Sequence, residues 1–290
     1  MKIITLTLSP AIDIEYQVAT VRADTTSRAK KHSVTAGGKG INVSRALIGC
    51  GIAKDDLLTV APLGGFTGEM MKNILAGEGI LVTGVNISEN TRINTSVIGE
   101  DDHSVEVNAP GTPVGEKLAD IEKLILDSIN SGDVLVIAGS CPSDVKKSYP
   151  SELCRKAKEK GAVVVLDCDG EALKLAVASD CPPDLIKPNK DELGGLVGRE
   201  LSTDNEVTSA AESLRAGITV ITTMAGDGAY YTSNGESKFY PSEKRPVVRL
   251  KGAGDTFLGA FVYARYYVGK SVDDSMAYAA KVAGDYVAGL

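Results

Sequence analysis

At 290 residues the chain is long enough for one large α/β domain or two small ones. Its net charge of −7 makes it repel nucleic acid and anionic membrane surfaces unless a local basic patch intervenes, and 5% aromatics with no Trp argue against a base-stacking single-strand binder or an aromatic polysaccharide cleft. Two histidines, His32 and His103, give no basis for a His-ligated metal or a Ser-His-Asp hydrolase, and five cysteines without a Cys-x-x-Cys pair read as reduced thiols in a cytoplasmic protein.

The N-terminal MKIITLTLSPAIDIEY has a short apolar stretch that alternates with Thr and ends at Pro10, so it reads as a first strand over Ile3–Leu8 and not as a signal peptide. Residues 14–35 and 93–107 alternate apolar and polar positions without helical spacing, and Ser104–Val107 has the period of a half-buried strand. These two stretches predict a small β-sheet standing off the main body, either a lid over an active site or an edge hairpin.

Elsewhere helix and strand patterns alternate. Ile41–Gly49 and Gly68–Glu78 are predicted helices around a short strand at Leu57–Ala61. Val134–Ala138 and Val163–Leu166 are wholly apolar runs, and Thr219–Ile221 is read as another of this type, the pattern of central parallel strands covered on both faces. A last helix is expected over Val272–Leu290. The expected fold is a three-layer α/β/α domain with a mostly parallel sheet. No run of about 18 apolar residues occurs, so no membrane span is expected.

Three motifs carry chemistry. In Lys251-Gly252-Ala253-Gly254-Asp255-Thr256-Phe257, small residues precede an acid at the start of an apolar helix. Helix N-termini present unpaired amides and a favourable dipole, and small residues let an anion approach them. Asp255 is then placed to take a proton from a hydroxyl that attacks a phosphoryl group, as kinase chemistry requires. Ala36-Gly37-Gly38-Lys39-Gly40-Ile41-Asn42-Val43 opens another helix, with Lys39 available to a phosphate and Asn42 to sugar hydroxyls. In Lys187-Pro188-Asn189-Lys190-Asp191-Glu192, Asn189 and Glu192 lie three apart, which suits either Mg²⁺ with its waters or a helix capping box. Asp13 after Pro10, Arg92 in Thr-Arg-Ile-Asn and Ser140 after the 134–138 strand are weaker candidates that, taken singly, read as turn or surface residues. Gly269-Lys270-Ser271 resembles the end of a P-loop but lacks its first glycine and its preceding strand, and no Gly-x-Gly-x-x-Gly follows the first strand.

Gly-Ala-Gly-Asp-Thr, Gly-Gly-Lys-Gly-Ile-Asn-Val and Lys-Pro-Asn-x-x-Glu-Leu, in this arrangement, resemble the PfkB (ribokinase-like) family of carbohydrate kinases over nearly the whole chain. Thr-Leu-Ser-Pro-Ala-Ile-Asp and Thr-Arg-Ile-Asn add a resemblance to its 1-phosphofructokinase and tagatose-6-phosphate kinase subgroups. The resemblance implies a single ribokinase-like domain with a β lid that pairs two subunits, and an ATP- and Mg²⁺-dependent sugar-phosphate kinase. It makes Asp255 the base and Gly252, Ala253 and Gly254 the anion hole. Asp13, Gly38 and Asn42 would bind sugar hydroxyls, while Lys39, Arg28 and Arg92, with Ser140 nearby, would gather the substrate's own phosphate. Lys187, Asn189, Thr223, Gly226 and Gly228 would face the nucleotide, and Asn189 and Glu192 would organise Mg²⁺ through water. Departures from the family pattern are Ala225 in place of Gly, Lys251 before the anion hole, and an end at Leu290 where another helix usually follows, which implies a differently built adenine pocket. A non-catalytic sugar-phosphate sensor is the competing class. The kinase reading requires an Asp255 that is neither buried nor turned away from a cleft shared with the other two glycine-lined turns.

Overall fold

The computed structural model describes residues 1–100 and 103–290. Its strands are Ile3–Leu6 (β1), Ala11–Val18 (β2), Lys31–Gly37 (β3), Leu57–Gly64 (β4), Val82–Ile87 (β5), Arg92–Gly99 (β6), Ser104–Val107 (β7), Val134–Ala138 (β8), Val163–Asp167 (β9), Leu185–Ile186 (β10), Thr219–Thr223 (β11), Gly228–Ser233 (β12) and Glu236–Pro241 (β13). The helices are Lys39–Gly49 (α1), Gly65–Gly77 (α2), Lys117–Ser128 (α3), Tyr149–Glu159 (α4), Gly170–Ala178 (α5), Lys190–Val197 (α6), Asp204–Glu212 (α7), Ala253–Val262 (α8) and Val272–Ala288 (α9).

A nine-stranded sheet runs β13-β12-β11-β10-β9-β8-β1-β4-β5, parallel except at one edge, where β12 pairs antiparallel with both β11 and β13. The apolar run Val134–Ala138 shows why both faces are covered. Leu135 and Ile137 point into a core with α3 to α7, while Val134, Val136 and Ala138 point into a second core with α1, α8 and α9. The helices therefore form layers on either side of the sheet. A buried hydroxyl cluster pins α1 to it: Thr5 and Thr59, neighbours in register on β1 and β4, both meet Ser44 Oγ, at 2.7 and 2.8 Å.

The second sheet has the order β3-β2-β6-β7. The alternating stretches do build it, although residues 19–30 connect strands and positions 101–102 of the second stretch lie outside the described residues. Register gives it two unlike faces. Asp13 pairs with Asn94, and Ser96 with Glu106, on a polar side. Tyr16 pairs with Val97, and Val97 with Val105, on an apolar side. Near the body the apolar side is buried through Ile12 in a small core with α1 and α2. The expectation that Ser104–Val107 is half-buried is corrected: the strand forms, but as an edge strand bound only to β6 it is exposed throughout. All five cysteines are free thiols, and among the described residues no helix is long and apolar enough to cross a membrane.

Candidate active site

The motifs converge at the carboxyl edge of the parallel strands, where open α/β sheets place ligands. Asp167 ends β9, Lys187 follows β10 and Thr223 ends β11, while α1 and α8 start beside them. The two helices cross closely because Gly259 has no side chain: a Cβ there would sit 2.6 Å from Ala46 Cβ and 2.8 Å from the Val43 carbonyl oxygen. Asn42 and Asp255 each lie four residues earlier, one turn up on the same faces. The crossing therefore brings them together, and Asn42 Nδ2 donates to Asp255 Oδ2 at 2.7 Å. Arg45 Nη1 donates to Asn42 Oδ1 at 2.7 Å, which fixes the amide so that its NH₂ faces the acid.

Asp255 does not cap its helix. Gly252 is the N-cap residue, left-handed at φ 86°, and its missing side chain leaves room for Tyr286 Oη, which donates to the Lys251 carbonyl at 2.7 Å. The Ala253 amide donates to the Leu250 carbonyl at 3.1 Å, so within the first turn the Gly254 and Asp255 amides remain for an anion. The expectation of an unburied acid is corrected: Asp255 is only 8% exposed, because α1 packs against it, yet it lines the cavity together with Lys39, Lys187, Asn189, Gly226 and Gly228. Burial pushes its carboxyl above the ordinary range, and the nearby Asp167 charge adds to the shift; Asn42, Lys187 and Lys39 partly oppose it.

Asp167 was not singled out in the sequence, and its only local signal is an acid at the end of an apolar strand. Its fully buried carboxylate lies 3.2 Å from Lys39 Nζ through one oxygen and 3.2 Å from Lys187 Nζ through the other. Lys39 Nζ is also 3.6 Å from Glu192 Oε1. Burial works against the Lys39 ammonium, but Asp167, Glu192 and Asp255 outweigh it and raise its pKa. A side chain at Gly254 would come within 3.5 Å of Lys187 Nζ, so that ammonium stands directly over the start of α8.

On the lid side, Asp13 lies in β2 itself. Its Oδ1 accepts from Asn94 Nδ2 at 2.9 Å, and Oδ2 lies 3.1 Å from Lys251 Nζ. Gly37 leaves room for this carboxylate, since a Cβ would stand 2.3 Å from Oδ2; Gly38, at φ 134°, turns the chain into α1. Arg92 is tied to the body by Nη1 to the Ala109 carbonyl at 2.8 Å and Nη2 to the Ser9 carbonyl at 3.1 Å. Ser140 is exposed beside Gly139, which itself faces Lys39. Arg28 stands in the exposed β2–β3 connection, where the structure gives it no bond to the other site residues.

The cavity has a volume of about 720 Å³, in the size range of a cofactor site. Beyond Asp255 its walls are Thr223 to Gly228, the segment Ser242 to Leu250, and Ala283, Gly284 and Val287 of α9. The last two groups were not legible in the sequence; Arg249 packs over the Tyr286 ring at 4.5 Å and docks the segment onto α9. Ala225 takes φ 50°, the left-handed conformation a glycine would adopt without strain. Asn189 and Glu192 do form the capping box: Asn189 Oδ1 accepts from the Glu192 amide at 2.7 Å, and Glu192 Oε2 from the Asn189 amide at 2.9 Å. Glu192 Oε1 remains toward the cavity. No cluster of three or more His, Cys, Asp or Glu suited to a metal occurs among the described residues. One carboxylate oxygen beside a phosphate pocket fits Mg²⁺ that keeps most of its waters. The P-loop look-alike has a structural use, since Ser271 Oγ accepts from the Asp274 amide at 3.1 Å and caps α9.

The model of the pfkB family carbohydrate kinases matches residues 6–287. The chain belongs to this family. It is 33% identical over 264 residues to 1-phosphofructokinase of Bacillus subtilis, covering 90% of this chain and 84% of that one. Its fold matches phosphofructokinase-2 of Escherichia coli in complex with fructose-6-phosphate at a TM-score of 0.90 and 28% identity, covering 100% of this chain and 94% of the other. The tetrameric inhibited form of that enzyme matches at 0.89 and 28%, covering 99% and 94%. As a pfkB kinase of phosphofructokinase type, the protein transfers phosphate from ATP to a sugar-phosphate hydroxyl.

Proposed function

We propose that this kinase phosphorylates fructose 1-phosphate at its C6 hydroxyl, giving fructose 1,6-bisphosphate. The observation that carries the reading is the Asp255 carboxylate, held by Asn42 where two helix N-termini meet and open into the cofactor-sized cavity. The sugar lies between the polar lid face and the carboxyl edge of the sheet. Asp13, with Gly38 and Asn42 beside it, receives its hydroxyls, and Arg92 and Ser140 flank its own phosphate. Asp255 takes the proton of the attacking hydroxyl, and its raised pKa makes it a stronger acceptor than an ordinary carboxylate. The Gly254 and Asp255 amides hold the migrating phosphoryl, and Lys187 above Gly254 neutralises it. Lys39, set among Asp167, Glu192 and Asp255, is better placed for that migrating group than for the remote phosphate. Glu192 and Asn189 are the residues that would hold Mg²⁺ through water, and the ion would supply charge neutralisation on the nucleotide phosphates. Thr223, Gly226 and Gly228 lie along the nucleotide.

Support for the 1-phosphate comes from the Bacillus relative, 33% identical, against 28% for the phosphofructokinase-2 solved with fructose-6-phosphate. Fructose 6-phosphate, or tagatose 6-phosphate, accepting at C1 is the second reading, favoured by the fructose-6-phosphate complex of the structural neighbour. We further propose one kinase domain over 1–290 that pairs with a second copy through the apolar lid face, where Tyr16, Ile93, Val105 and Val107 are exposed. ADP release should be measured with each sugar phosphate. The expected kcat/KM for fructose 1-phosphate is at least about tenfold above the 6-phosphates; the reverse order overturns the substrate assignment. Asp255→Asn should lose about 10²–10⁴-fold in turnover while still binding sugar phosphate, and near-normal turnover would remove the base from Asp255.

A further inference from the structure

Lys251 stands where the family pattern has a small or apolar residue, and the structure gives it partners on the other side of the cleft. Its ammonium lies 3.1 Å from Asp13 Oδ2 on β2 and 3.8 Å from Glu106 Oε1 on β7. Both acids belong to the polar face of the lid, whereas Lys251 belongs to the body, directly before the helix that presents the anion-binding amides. Its backbone is held from behind by Tyr286. Asn94 already occupies Asp13 Oδ1, and the Gly37 backbone packs against Oδ2. The ammonium takes the charge contact on Oδ2 that these neighbours leave.

We propose that Lys251 is a substrate-displaced latch between lid and body. In the empty site it neutralises Asp13. When sugar hydroxyls take Asp13, the ammonium passes to Glu106, so the lid stays tied to the anion-binding loop while the sugar is held. The transfer requires no backbone movement, because the second carboxylate already stands within reach of the flexible four-carbon side chain. Lys251 is thus a positioning residue: it sets how tightly the lid closes over a bound sugar and takes no part in phosphoryl transfer. The inference rests on Asp13 as the hydroxyl acceptor.

The test is a double-mutant cycle on residues 106 and 251, read as KM for the sugar phosphate, KM for ATP and kcat. Glu106→Gln removes the receiving carboxylate. It should raise the sugar-phosphate KM by a factor of about 2–5, the range of an exposed ion pair, with kcat and the ATP KM unchanged. In a Lys251→Met background the same substitution should have no effect. Hydrogen exchange across residues 104–107 should show sugar-phosphate protection that Lys251→Met weakens. An equal effect of Glu106→Gln in both backgrounds overturns the latch. So does a silent Glu106→Gln alongside a large KM rise in Lys251→Met, which would place the ammonium on the substrate's phosphate. If the substrate reading itself is wrong, the unmutated enzyme shows the failure by not turning over the sugar phosphate, an outcome separate from either of these.

Discussion

Gly259→Ala tests how the site is assembled without touching a residue that meets substrate. The added methyl would lie 2.6 Å from Ala46 Cβ and 2.8 Å from the Val43 carbonyl. Carbon–carbon contacts settle near 3.5–4.0 Å, so α1 and α8 must separate by about 1 Å. One turn up, that displacement stretches the 2.7 Å bond from Asn42 to Asp255 beyond hydrogen-bonding range. Overpacking of this kind costs about 1–3 kcal/mol of stability, and a misplacement of about 1 Å at the reacting groups costs about 10²-fold in turnover. Urea unfolding and ADP release measure the two effects on one preparation. Gly49→Ala, at a helical position with nothing within 4 Å, is the control and should gain about 0.5–1 kcal/mol with unchanged activity. Ala46→Gly, combined with Gly259→Ala, should return part of the loss. A Gly259→Ala enzyme with normal stability and turnover would refute the claim that the helix crossing sets the acid.

Asp255→Asn should fold at least as stably as the unmutated chain at neutral pH. The folded-state pKa of Asp255 is raised, so the folded protein binds the extra proton, and stability from this group falls as pH rises from the ordinary carboxylate pKa through the raised one. The advantage of Asn should therefore vanish in acid, where both side chains are neutral; melting temperatures across pH check it, and an advantage that grows in acid would reverse the sign. For the same reason, the acid limb of kcat against pH should lie above that of an ordinary carboxylate. Lys39→Met should lower kcat by about 10²-fold, the scale for losing one preorganised charge at a migrating group, with a much smaller change in sugar-phosphate KM; the opposite split would move Lys39 to the substrate's own phosphate. Ala225→Gly should relieve left-handed strain and stabilise the protein by about 1 kcal/mol in urea titration without raising the ATP KM; a loss of stability would mean that the strain is absent.

The parts legible from sequence are those whose signal is local. The 134–138 and 163–166 runs announce buried parallel strands because both of their faces meet helices, so every position is apolar. The glycine turns at 37–40 and 252–254 announce themselves because backbone or ligand must come where a Cβ would stand. Asn189 and Glu192 illustrate the limit of local reading, since one spacing satisfies the capping box and leaves a second carboxylate oxygen for the cavity. The edge strand 104–107 misled in a different way. Its alternation is real, but alternation predicts burial only if something packs on one face, and here only β6 is bonded at one edge.

What stayed hidden is set by contacts between distant segments. Asp167 gains its role only because β9 ends beside Lys39 and Lys187, and Arg45 only because α1 turns it toward both Asn42 and Glu78. Gly259 looks like a mild defect inside an apolar helix until Ala46 is placed against it. Lys251 looks like a solvated charge until the lid brings two carboxylates to it. Asp167 meets Lys39 across 128 positions, Gly259 meets Ala46 and Lys251 meets Asp13 across longer separations still, and even Arg45 reaches Glu78 only across 33. The chemistry of the site is therefore written in short motifs, while its geometry is written in the helix crossing and strand order that bring those motifs to one edge.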